Sequence, residues 1–426
     1  MDCTAYIAAD GFAPPGTQGS RPAAHSVSPG ARMALLAWQA EWLARQGCSE
    51  ICILPGDGLG AKEIMEYLGD GYAPGARITY FQSEYCERDS GGGWIFPDVH
   101  SQSSHCLFVD GTLFFDIDLR LLYSFYESRA GSAGAALALK YREDGAGGAR
   151  VSLSGTYAAD TAEAAVPGEG YVFGGLCLVS RAAFRASSSF PRSARFYGVP
   201  LAGRFFDLLI PDEADAFARA FPEYFAETTP RVSSPGTGSG GQKRPAIFLD
   251  RDGVLLEDSG YIRDPDTVVY KEDVLRGLAG FSCIRKREVL LIIVSNQAGI
   301  AKGLLSVAEA EAVNERLARR MLDFGLEIAG VWYCPYHEEG VLPEYTRASL
   351  QRKPQPGMIL LAAESLGVDI SRSLMVGDKE SDRIALPYLE TYLLSGRSLP
   401  EGVGGSAAGL MHRIAEKFCV DEGMAQ

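Results

Sequence analysis

Long apolar runs, a secretion signal and a disulfide-like cysteine pattern are all missing from this sequence. No apolar run approaches bilayer length, and no basic stretch followed by a hydrophobic one opens the chain. The nine cysteines are an odd number without regular spacing, which indicates free thiols in a reducing compartment. A formal net charge of −14 argues against a nucleic-acid backbone as partner. We therefore expect a cytoplasmic protein that binds neither membrane nor nucleic acid; the sequence leaves its oligomeric state open.

Length and composition are typical of an α/β protein with more than one domain. The chain has 426 residues, of which 46% are hydrophobic, enough for two or three separate cores. Residues 231–244 are rich in Gly, Ser and Pro, a composition that has little to bury, and we predict a flexible linker there. We accordingly expect one domain over residues 1–230 and another over residues 245–426.

The most informative stretch is 245–253, where an apolar run ends in Asp250-Arg251-Asp252-Gly253. Such a run predicts a buried parallel strand, and ligands of open α/β sheets bind at the carboxyl ends of these strands. If the strand continues through Arg251, the side chains of Asp250 and Asp252 point the same way. Two adjacent carboxylates repel each other, so we expect a divalent cation or a shared proton there. The alternative is an Asp-rich turn that caps a helix.

Downstream motifs favour a binding site over a cap. An apolar run over residues 288–294 ends in Ser295-Asn296-Gln297, a neutral donor set suited to a phosphoryl oxygen. Arg352-Lys353-Pro354 places two cations beside a predicted helix start, and a strand over residues 373–376 leads into Gly377-Asp378 and further acids. Two helices are also predicted: one over residues 274–287, and one that starts at Ser306 with Glu309 completing a capping box.

These motifs, in this order, resemble those of the haloacid dehalogenase superfamily, and within it the heptose bisphosphate phosphatases related to histidinol phosphatases. The resemblance spans about residues 245–397 and implies a parallel sheet and a Mg²⁺-dependent phosphatase. It implies that Asp250 attacks phosphorus to form an aspartyl phosphate. Asp252 would protonate the leaving oxygen and then deprotonate water.

The resemblance also assigns the remaining site residues. Ser295, Asn296 and Lys353 would hold phosphoryl oxygens, and Mg²⁺ would bind Asp250, the carbonyl of Asp252 and Asp378. Arg352 is a candidate for the second phosphate of a bisphosphate. The other candidate substrate contacts are Gln297, Tyr261 and Lys302. The implied substrate is D-glycero-D-manno-heptose 1,7-bisphosphate, which would lose its 7-phosphate in the synthesis of surface-glycan precursors; histidinol phosphate is the alternative.

One departure concerns a zinc loop. Heptose phosphatases usually carry Cys-x-His followed by Cys-x-Cys before the Arg-Lys-Pro. Here Cys334 and His337 are spaced Cys-x-x-His, while Ser349 and Gln351 stand where the second pair is expected. Two ligands do not close a tetrahedral site, so we interpret Cys334 and His337 as a remnant and predict a protein without stoichiometric zinc.

The first half alternates predicted strands (4–9, 50–54, 77–82) with predicted helices (33–45, 61–68), which indicates a parallel sheet. Over about residues 4–227 it resembles the sugar-phosphate nucleotidyltransferases, whose fold is a Rossmann-like sheet of the glycosyltransferase A type. The resemblance rests on phrases such as residues 67–71, Gly174-Gly175 inside a predicted strand, and Phe206-Asp207 before Pro211.

Most of that family's chemical residues are replaced. Prolines interrupt the expected phosphate loop at residues 9–16, Ala23 stands in place of a lysine, and Gly111-Thr112 replaces Gly-Asp. Asp110 and Asp207 are the remaining candidate metal ligands of such a site. Three hypotheses stay open: a phosphatase with a degenerate N-terminal scaffold, a bifunctional phosphatase and heptose 1-phosphate nucleotidyltransferase, or a pair of binding modules.

Overall fold

The structure is a computed structural model. It describes residues 2–9, 29–55, 61–68, 75–80, 87–88, 94–95, 103–130, 134–144, 150–154, 158–161, 169–182, 195–221, 243–395, 399 and 404–419. The chain divides into two compact units, Met1–Ser239 and Gly240–Gln426. Among the helices of these described ranges, none has the length and apolarity that crossing a membrane requires. The predicted phosphate loop beyond Ala9, the position of Ala23 and most of the predicted linker (231–242) lie outside the described residues.

The N-terminal unit is built on a mixed sheet. Its strands are β1 (Cys3–Ala8), β2 (Glu50–Leu54), β3 (Arg77–Tyr80), β4 (Glu87–Arg88), β5 (Trp94–Ile95), β6 (His105–Asp110), β7 (Leu113–Phe115), β8 (Gly134–Arg142), β9 (Arg150–Ser154), β10 (Ala158–Thr161), β11 (Gly170–Ser180), β12 (Arg195–Pro200) and β13 (Phe205–Asp207). Its helices are α1 (Pro29–Arg45), α2 (Ala61–Leu68), α3 (Leu119–Phe125), the π-helical Tyr126–Ala130, and α4 (Pro211–Ala220).

The large sheet has the order β3-β2-β1-β6-β11-β8-β12-β10-β9. Strands β3, β2, β1 and β6 pair in parallel, which confirms the prediction for the first hundred residues, and β11 then pairs antiparallel with β6 and β8. Gly174 and Gly175 lie inside β11 as predicted, and a side chain has no room at Gly174, since a Cβ there would lie 2.1 Å from the ring of Phe115.

The C-terminal unit has a fully parallel sheet of order β16-β15-β14-β17-β18. Its strands are β14 (Ala246–Leu249), β15 (Leu290–Asn296), β16 (Ile328–Cys334), β17 (Leu374–Gly377) and β18 (Glu390–Leu393). Its helices are α5 (Glu272–Ala279), α6 (Ser282–Arg285), α7 (Ala298–Ala301), α8 (Val307–Asp323), α9 (Gly357–Leu366) and α10 (Ala407–Phe418), with 3-10 turns at Pro343–Tyr345, Ile370–Arg372 and Glu380–Asp382.

Apolar side chains of α8 and α5 pack against β14 and β15 in one core, with Val313, Leu317 and Leu275 among the members that are 0% exposed. The capping box predicted at the start of α8 is confirmed: Ser306 Oγ accepts from Glu309 N at 3.2 Å, and Glu309 Oε2 accepts from Ser306 N at 2.7 Å.

The single helix predicted over residues 274–287 was wrong. Two helices, α5 and α6, occupy this stretch, separated at Gly280 and Phe281. Glycine lowers helix propensity, and Phe281 takes an extended conformation (φ −88°, ψ 124°) that starts a new helix.

Candidate active site

The loop after the central strand β14 carries Asp250 and Asp252. The strand ends at Leu249, although Asp250 N still donates to Val376 O of β17 at 2.9 Å. Beyond it the chain turns: Leu255 N and Leu256 N both donate to Arg251 O, and Arg251 N donates to Asp250 Oδ1 at 2.8 Å. Strand alternation therefore does not continue through Arg251, and the turn sets the directions of the two carboxylates.

A buried lysine pairs with Asp250. Lys353 Nζ lies 2.8 Å from Asp250 Oδ1 and 2.7 Å from Asp382 Oδ1, and it donates to Val294 O at 3.0 Å. Asn296 fixes the backbone that carries this lysine, because its Nδ2 donates to Lys353 O (3.1 Å) and its Oδ1 accepts from Lys353 N (3.0 Å). The side-chain amide of Asn296, predicted as a phosphoryl donor, thus holds Lys353 in place.

Three buried carboxylates converge beside Lys353. Asp250, Asp378 and Asp382 each offer an oxygen within 4.8 Å of the others. The 3-10 turn at Glu380–Asp382 folds Asp382 back, so that its Oδ2 accepts from Asp378 N and Lys379 N. Asp378 Oδ1 is buried and makes no hydrogen bond to any residue that the structure describes. An oxygen-only set with one uncommitted buried oxygen fits a hard cation such as Mg²⁺.

Asp382 was not among the predicted ligands. The signal available in the sequence was its place in the same acidic run, four residues after Asp378. The side chain of Asp252 lies outside this cluster of three acids. Its predicted contribution to the metal, through the main-chain carbonyl, stays a prediction.

Gly253 makes room for this cluster. It adopts a φ of +95°, a region that favours glycine, and a Cβ placed there would lie 2.1 Å from Asp378 Oδ2. A side chain at position 253 would therefore displace the carboxylate of Asp378.

Burial dominates the ionisation of these acids. Burial, with added repulsion from Asp382 and Asp252 and against the attraction of Lys353, raises the pKa of Asp250 to about 7. Burial likewise raises the pKa of Asp378 to about 6, with Lys379 opposing and Asp382 adding to the shift. The cluster carries more buried negative charge than its lysines neutralise, so near neutral pH it takes up a proton or a cation.

Asp252 belongs to a second group of contacts. Its Oδ2 accepts from Arg251 Nη2 (3.0 Å) and Gln297 Nε2 (3.0 Å), and its Oδ1 accepts from Arg251 Nε (3.1 Å). Gln297 Nε2 also lies 2.8 Å from Ser295 Oγ, as donor to that hydroxyl. In this structure the amide of Gln297, predicted as a substrate contact, connects Asp252 with Ser295.

The other predicted substrate residues lie on loops around α7. Tyr261 is 48% exposed and its ring covers α7, since a Cβ at Gly299 would come within 2.6 Å of it. Burial and then the positive charges of Arg352 and Lys302 lower the pKa of His337. Arg352 Nη1 also donates to Tyr336 O at 3.5 Å.

The proposed zinc remnant is held by local contacts. Cys334 is buried at the end of β16 with its Sγ 3.9 Å from Tyr336 O, and His337 Nδ1 accepts from Glu339 N at 3.0 Å. Gln351 N donates to Ser349 Oγ at 3.1 Å. Within the described residues, the one group of three or more His, Cys, Asp or Glu ligands is the aspartate cluster. The absence of zinc remains a prediction.

In the N-terminal unit, Asp110 and Asp207 both stabilise turns. Asp110 is buried at the end of β6, and its Oδ1 accepts from Thr112 N (2.8 Å) and Thr112 Oγ1 (2.7 Å). Asp207 Oδ1 accepts from Leu209 N at 3.0 Å. Neither residue belongs to a cluster of three ligands among the described residues, and their metal role stays a prediction.

We expect Mg²⁺ to stabilise the protein more near pH 7.5 than near pH 5. Because the pKa values of Asp250 and Asp378 are raised to about 7 and about 6, the metal-free folded state holds protons that the unfolded state has lost between about pH 4 and 7, so its stability falls as pH rises through this window. A cation must displace those protons at low pH but meets free carboxylates above pH 7. The measurement is the rise in melting temperature on adding Mg²⁺ at each pH.

Asp378→Asn should remove most of this pH-dependent rise, whereas Asp323→Asn, at an exposed carboxylate on α8, should leave it intact. Equal stabilisation of wild type at both pH values would contradict the assignment of the aspartate cluster as a cation site.

Comparisons with known proteins bear on this site. Residues 350–385, from the loop of Lys353 to the turn after Asp382, match a family model described as HAD-hydrolase-like. The D-glycero-β-D-manno-heptose-1,7-bisphosphate 7-phosphatase of Vibrio cholerae serotype O1 is 38% identical over 142 residues, which cover 33% of this chain and 75% of that protein.

Two solved structures are also similar. The D,D-heptose 1,7-bisphosphate phosphatase from B. bronchiseptica, complexed with magnesium and phosphate, matches 40% of this chain and 98% of its own at 24% identity and a TM-score of 0.34. HddC from Yersinia pseudotuberculosis, complexed with GMP-PN, matches 51% of this chain and 99% of its own at 13% identity and a TM-score of 0.37.

The match to the Vibrio protein extends over three quarters of that protein's length. The family model covers Lys353 and the turn that carries Asp382. The resemblance of residues 245–397 to the haloacid dehalogenase superfamily, inferred from the motifs, is thereby confirmed. The chain belongs to the haloacid dehalogenase family of phosphatases, and it is a phosphoric monoester hydrolase.

Proposed function

We propose that this chain is a Mg²⁺-dependent sugar bisphosphate phosphatase, and that its substrate is D-glycero-D-manno-heptose 1,7-bisphosphate, from which it removes the 7-phosphate. The observation that carries the proposal is the buried pairing of Asp250 with Lys353 beside the two further acids Asp378 and Asp382. The choice of sugar is supported by the name of the Vibrio relative.

The contacts of Asp250 leave one oxygen for attack. Its Oδ1 accepts from Arg251 N and pairs with Lys353 Nζ, so Oδ2 is the oxygen we assign as nucleophile. As the bond from Oδ2 to phosphorus forms, the bond from phosphorus to the sugar oxygen breaks, and Asp252 gives its proton to that oxygen. Asp252 then takes a proton from water, which attacks phosphorus and releases Asp250.

Charge neutralisation comes from both sides of the nucleophile. Lys353 offsets the negative charge of Asp250 and of the approaching phosphoryl group. Asp250, Asp378 and Asp382 would hold Mg²⁺, which would supply further positive charge for the phosphoryl oxygens. Asn296 keeps Lys353 in register through its two bonds to the lysine backbone.

Replacing the nucleophile should abolish turnover. Asp250→Asn is nearly isosteric, and we expect kcat for phosphate release to fall by more than about 10³-fold with an unchanged circular dichroism spectrum. Phosphate release from heptose 1,7-bisphosphate, heptose 7-phosphate and histidinol phosphate measures both the mechanism and the substrate.

Asp323→Asn is the matched control and should retain wild-type kcat. Turnover of Asp250→Asn above a trace would refute the covalent mechanism, and a preference for histidinol phosphate in the wild type would replace the proposed substrate with the alternative one.

We assign the second phosphate of the substrate to Arg352 and Lys302. Arg352 Nη1 donates to Tyr336 O, next to His337 in the chain, and Lys302 follows Ala301, whose O accepts from Val341 N and Leu342 N of the same loop. Two cations that meet one loop suit a dianionic group. This arrangement is the reason for proposing a bisphosphate rather than a monophosphate.

We therefore expect Arg352→Met to raise KM for the bisphosphate by about tenfold or more while leaving kcat and the KM for a sugar monophosphate near wild type. Arg372→Met, on the 3-10 turn before β17, is the matched loss of charge and should change neither constant. A comparable rise in KM for both substrates would argue against a dedicated site for the second phosphate.

For the N-terminal unit we retain the hypothesis of a scaffold without nucleotidyl transfer. Its support is that the carboxylate of Asp110 is bonded to Thr112, the residue standing where the related enzymes carry an aspartate. Incubation of the full chain with GTP or ATP, heptose 1-phosphate and Mg²⁺ should yield no pyrophosphate. Pyrophosphate formation that Asp110→Asn removes would establish the bifunctional alternative instead.

A further inference from the structure

Arg251 is among the largest fully buried side chains, with 1% of its surface exposed. A buried guanidinium destabilises a fold unless its charge is paired and its N–H groups are bonded. The position between two catalytic aspartates does not itself require an arginine, because the backbone N and O of Arg251 already close the turn. The side chain therefore needs a separate explanation.

Two partners hold the guanidinium at opposite ends. Arg251 Nε and Nη2 face the carboxylate of Asp252, at 3.1 Å from Oδ1 and 3.0 Å from Oδ2. Arg251 Nη1 donates to Asn314 Oδ1 at 2.8 Å. Because the guanidinium is planar and its donors are fixed relative to one another, a bond at one end orients the bonds at the other.

Asn314 is an exception on its own helix. It is 7% exposed and lies on the buried side of α8 with Ala310, Val313 and Leu317, all apolar. A side-chain amide at such a position has to be satisfied by a specific partner, and Arg251 provides it. The pair connects helix α8 with the loop that carries the proposed acid.

We propose that Arg251, oriented by Asn314, is a positioning residue that fixes the carboxyl group of Asp252 for proton transfer to the leaving oxygen. The proposal rests on the role assigned above to Asp252. The bonds also distinguish its two oxygens. Oδ2 accepts from both Arg251 Nη2 and Gln297 Nε2, whereas the nearest donor to Oδ1 is Arg251 Nε. Oδ1 thus has fewer donors than Oδ2, and it is the oxygen we assign to face the leaving oxygen.

The consequence is a dependence on the leaving group. A sugar alkoxide leaves poorly and needs the proton from Asp252, whereas 4-nitrophenolate leaves well without one. Misplacing Asp252 should therefore lower kcat/KM, which reports the transfer of the phosphoryl group to Asp250, much more for an alkyl phosphate than for 4-nitrophenyl phosphate. A general loss of folded structure would slow both reactions alike.

The test compares kcat/KM for the sugar bisphosphate, or for a simple alkyl phosphate, with kcat/KM for 4-nitrophenyl phosphate. The first variant is Asn314→Leu, which keeps the volume and removes the acceptor. The second is Arg251→Met combined with Asn314→Leu, which removes both partners and leaves no unpaired guanidinium. The alkyl-to-aryl ratio is kcat/KM for the alkyl phosphate divided by kcat/KM for 4-nitrophenyl phosphate. For both variants we expect this ratio to fall by about tenfold to a hundredfold, while kcat/KM for 4-nitrophenyl phosphate stays within about threefold of wild type.

Val313→Ala is the matched control, because it loosens the neighbouring buried position on α8 and leaves the hydrogen bond between Arg251 and Asn314 in place. It should leave the alkyl-to-aryl ratio unchanged even if the melting temperature falls. Circular dichroism checks folding, and if the double variant is unfolded, Asn314→Leu alone decides the outcome.

Asp252→Asn separates this inference from the proposal on which it depends. It should lower the same ratio further than either positioning variant does. If Asp252→Asn lowers kcat/KM equally for both substrates, the assigned role of Asp252 as the acid is wrong. If it lowers the ratio but Asn314→Leu does not, Arg251 and Asn314 are structural only and the inference is overturned.

Discussion

The site depends on the buried ion pairs that Lys353 makes with Asp250 and Asp382. The ammonium group of this lysine lies between Asp250 and Asp382, and the residue is 4% exposed. The cost of removing this charge from water therefore has to be offset by those two carboxylates. Although burial opposes it, the attraction of both acids raises the pKa of Lys353 and keeps it charged. The third acid, Asp378, has no share in that pairing, which leaves the site with unneutralised negative charge that a cation can satisfy.

The parallel sheet brings these groups together from distant parts of the chain. Strands β14, β15 and β17 are neighbours, so their carboxyl ends present Asp250, Asn296 and Asp378 at one edge. Lys353 comes from a loop rather than from a strand, and its place depends on the two bonds from Asn296 to its backbone. The sheet thus supplies Asp250 and Asp378, and the side chain of Asn296, at the end of β15, positions Lys353.

Sequence patterns predicted the elements better than the contacts inside the site. The strand at Glu50–Leu54, the helix at Ala61–Leu68 and the capping box at Ser306 were found where local patterns placed them, because caps and periodicity act over a few residues. The break between α5 and α6 was missed, since apolar periodicity continues across a point where Gly280 ends a helix.

The role of Asp382 was missed for a different reason. Its pairing with Lys353 depends on a 3-10 turn that folds the acidic run back on Asp378, and sequence spacing does not reveal that turn. The amides were also beyond sequence reasoning: adjacent residues Asn296 and Gln297 serve different partners, one the backbone of Lys353 and the other Asp252. Which neighbour an amide bonds depends on a side-chain direction that only the folded loop defines.

The two carboxylates proposed as nucleophile and acid pair with different cations, and one residue contacts both. Asp250 pairs with the ammonium of Lys353, whereas Asp252 pairs with the guanidinium of Arg251. Arg251 contributes to both, because its backbone N donates to Asp250 Oδ1 while its side chain holds Asp252. A proton donor and a nucleophile that act on opposite ends of one breaking bond need a fixed separation. Since the backbone and the side chain of Arg251 are anchored by the turn and by α8 respectively, we infer that this one arginine sets the separation between the proposed nucleophile and the proposed acid.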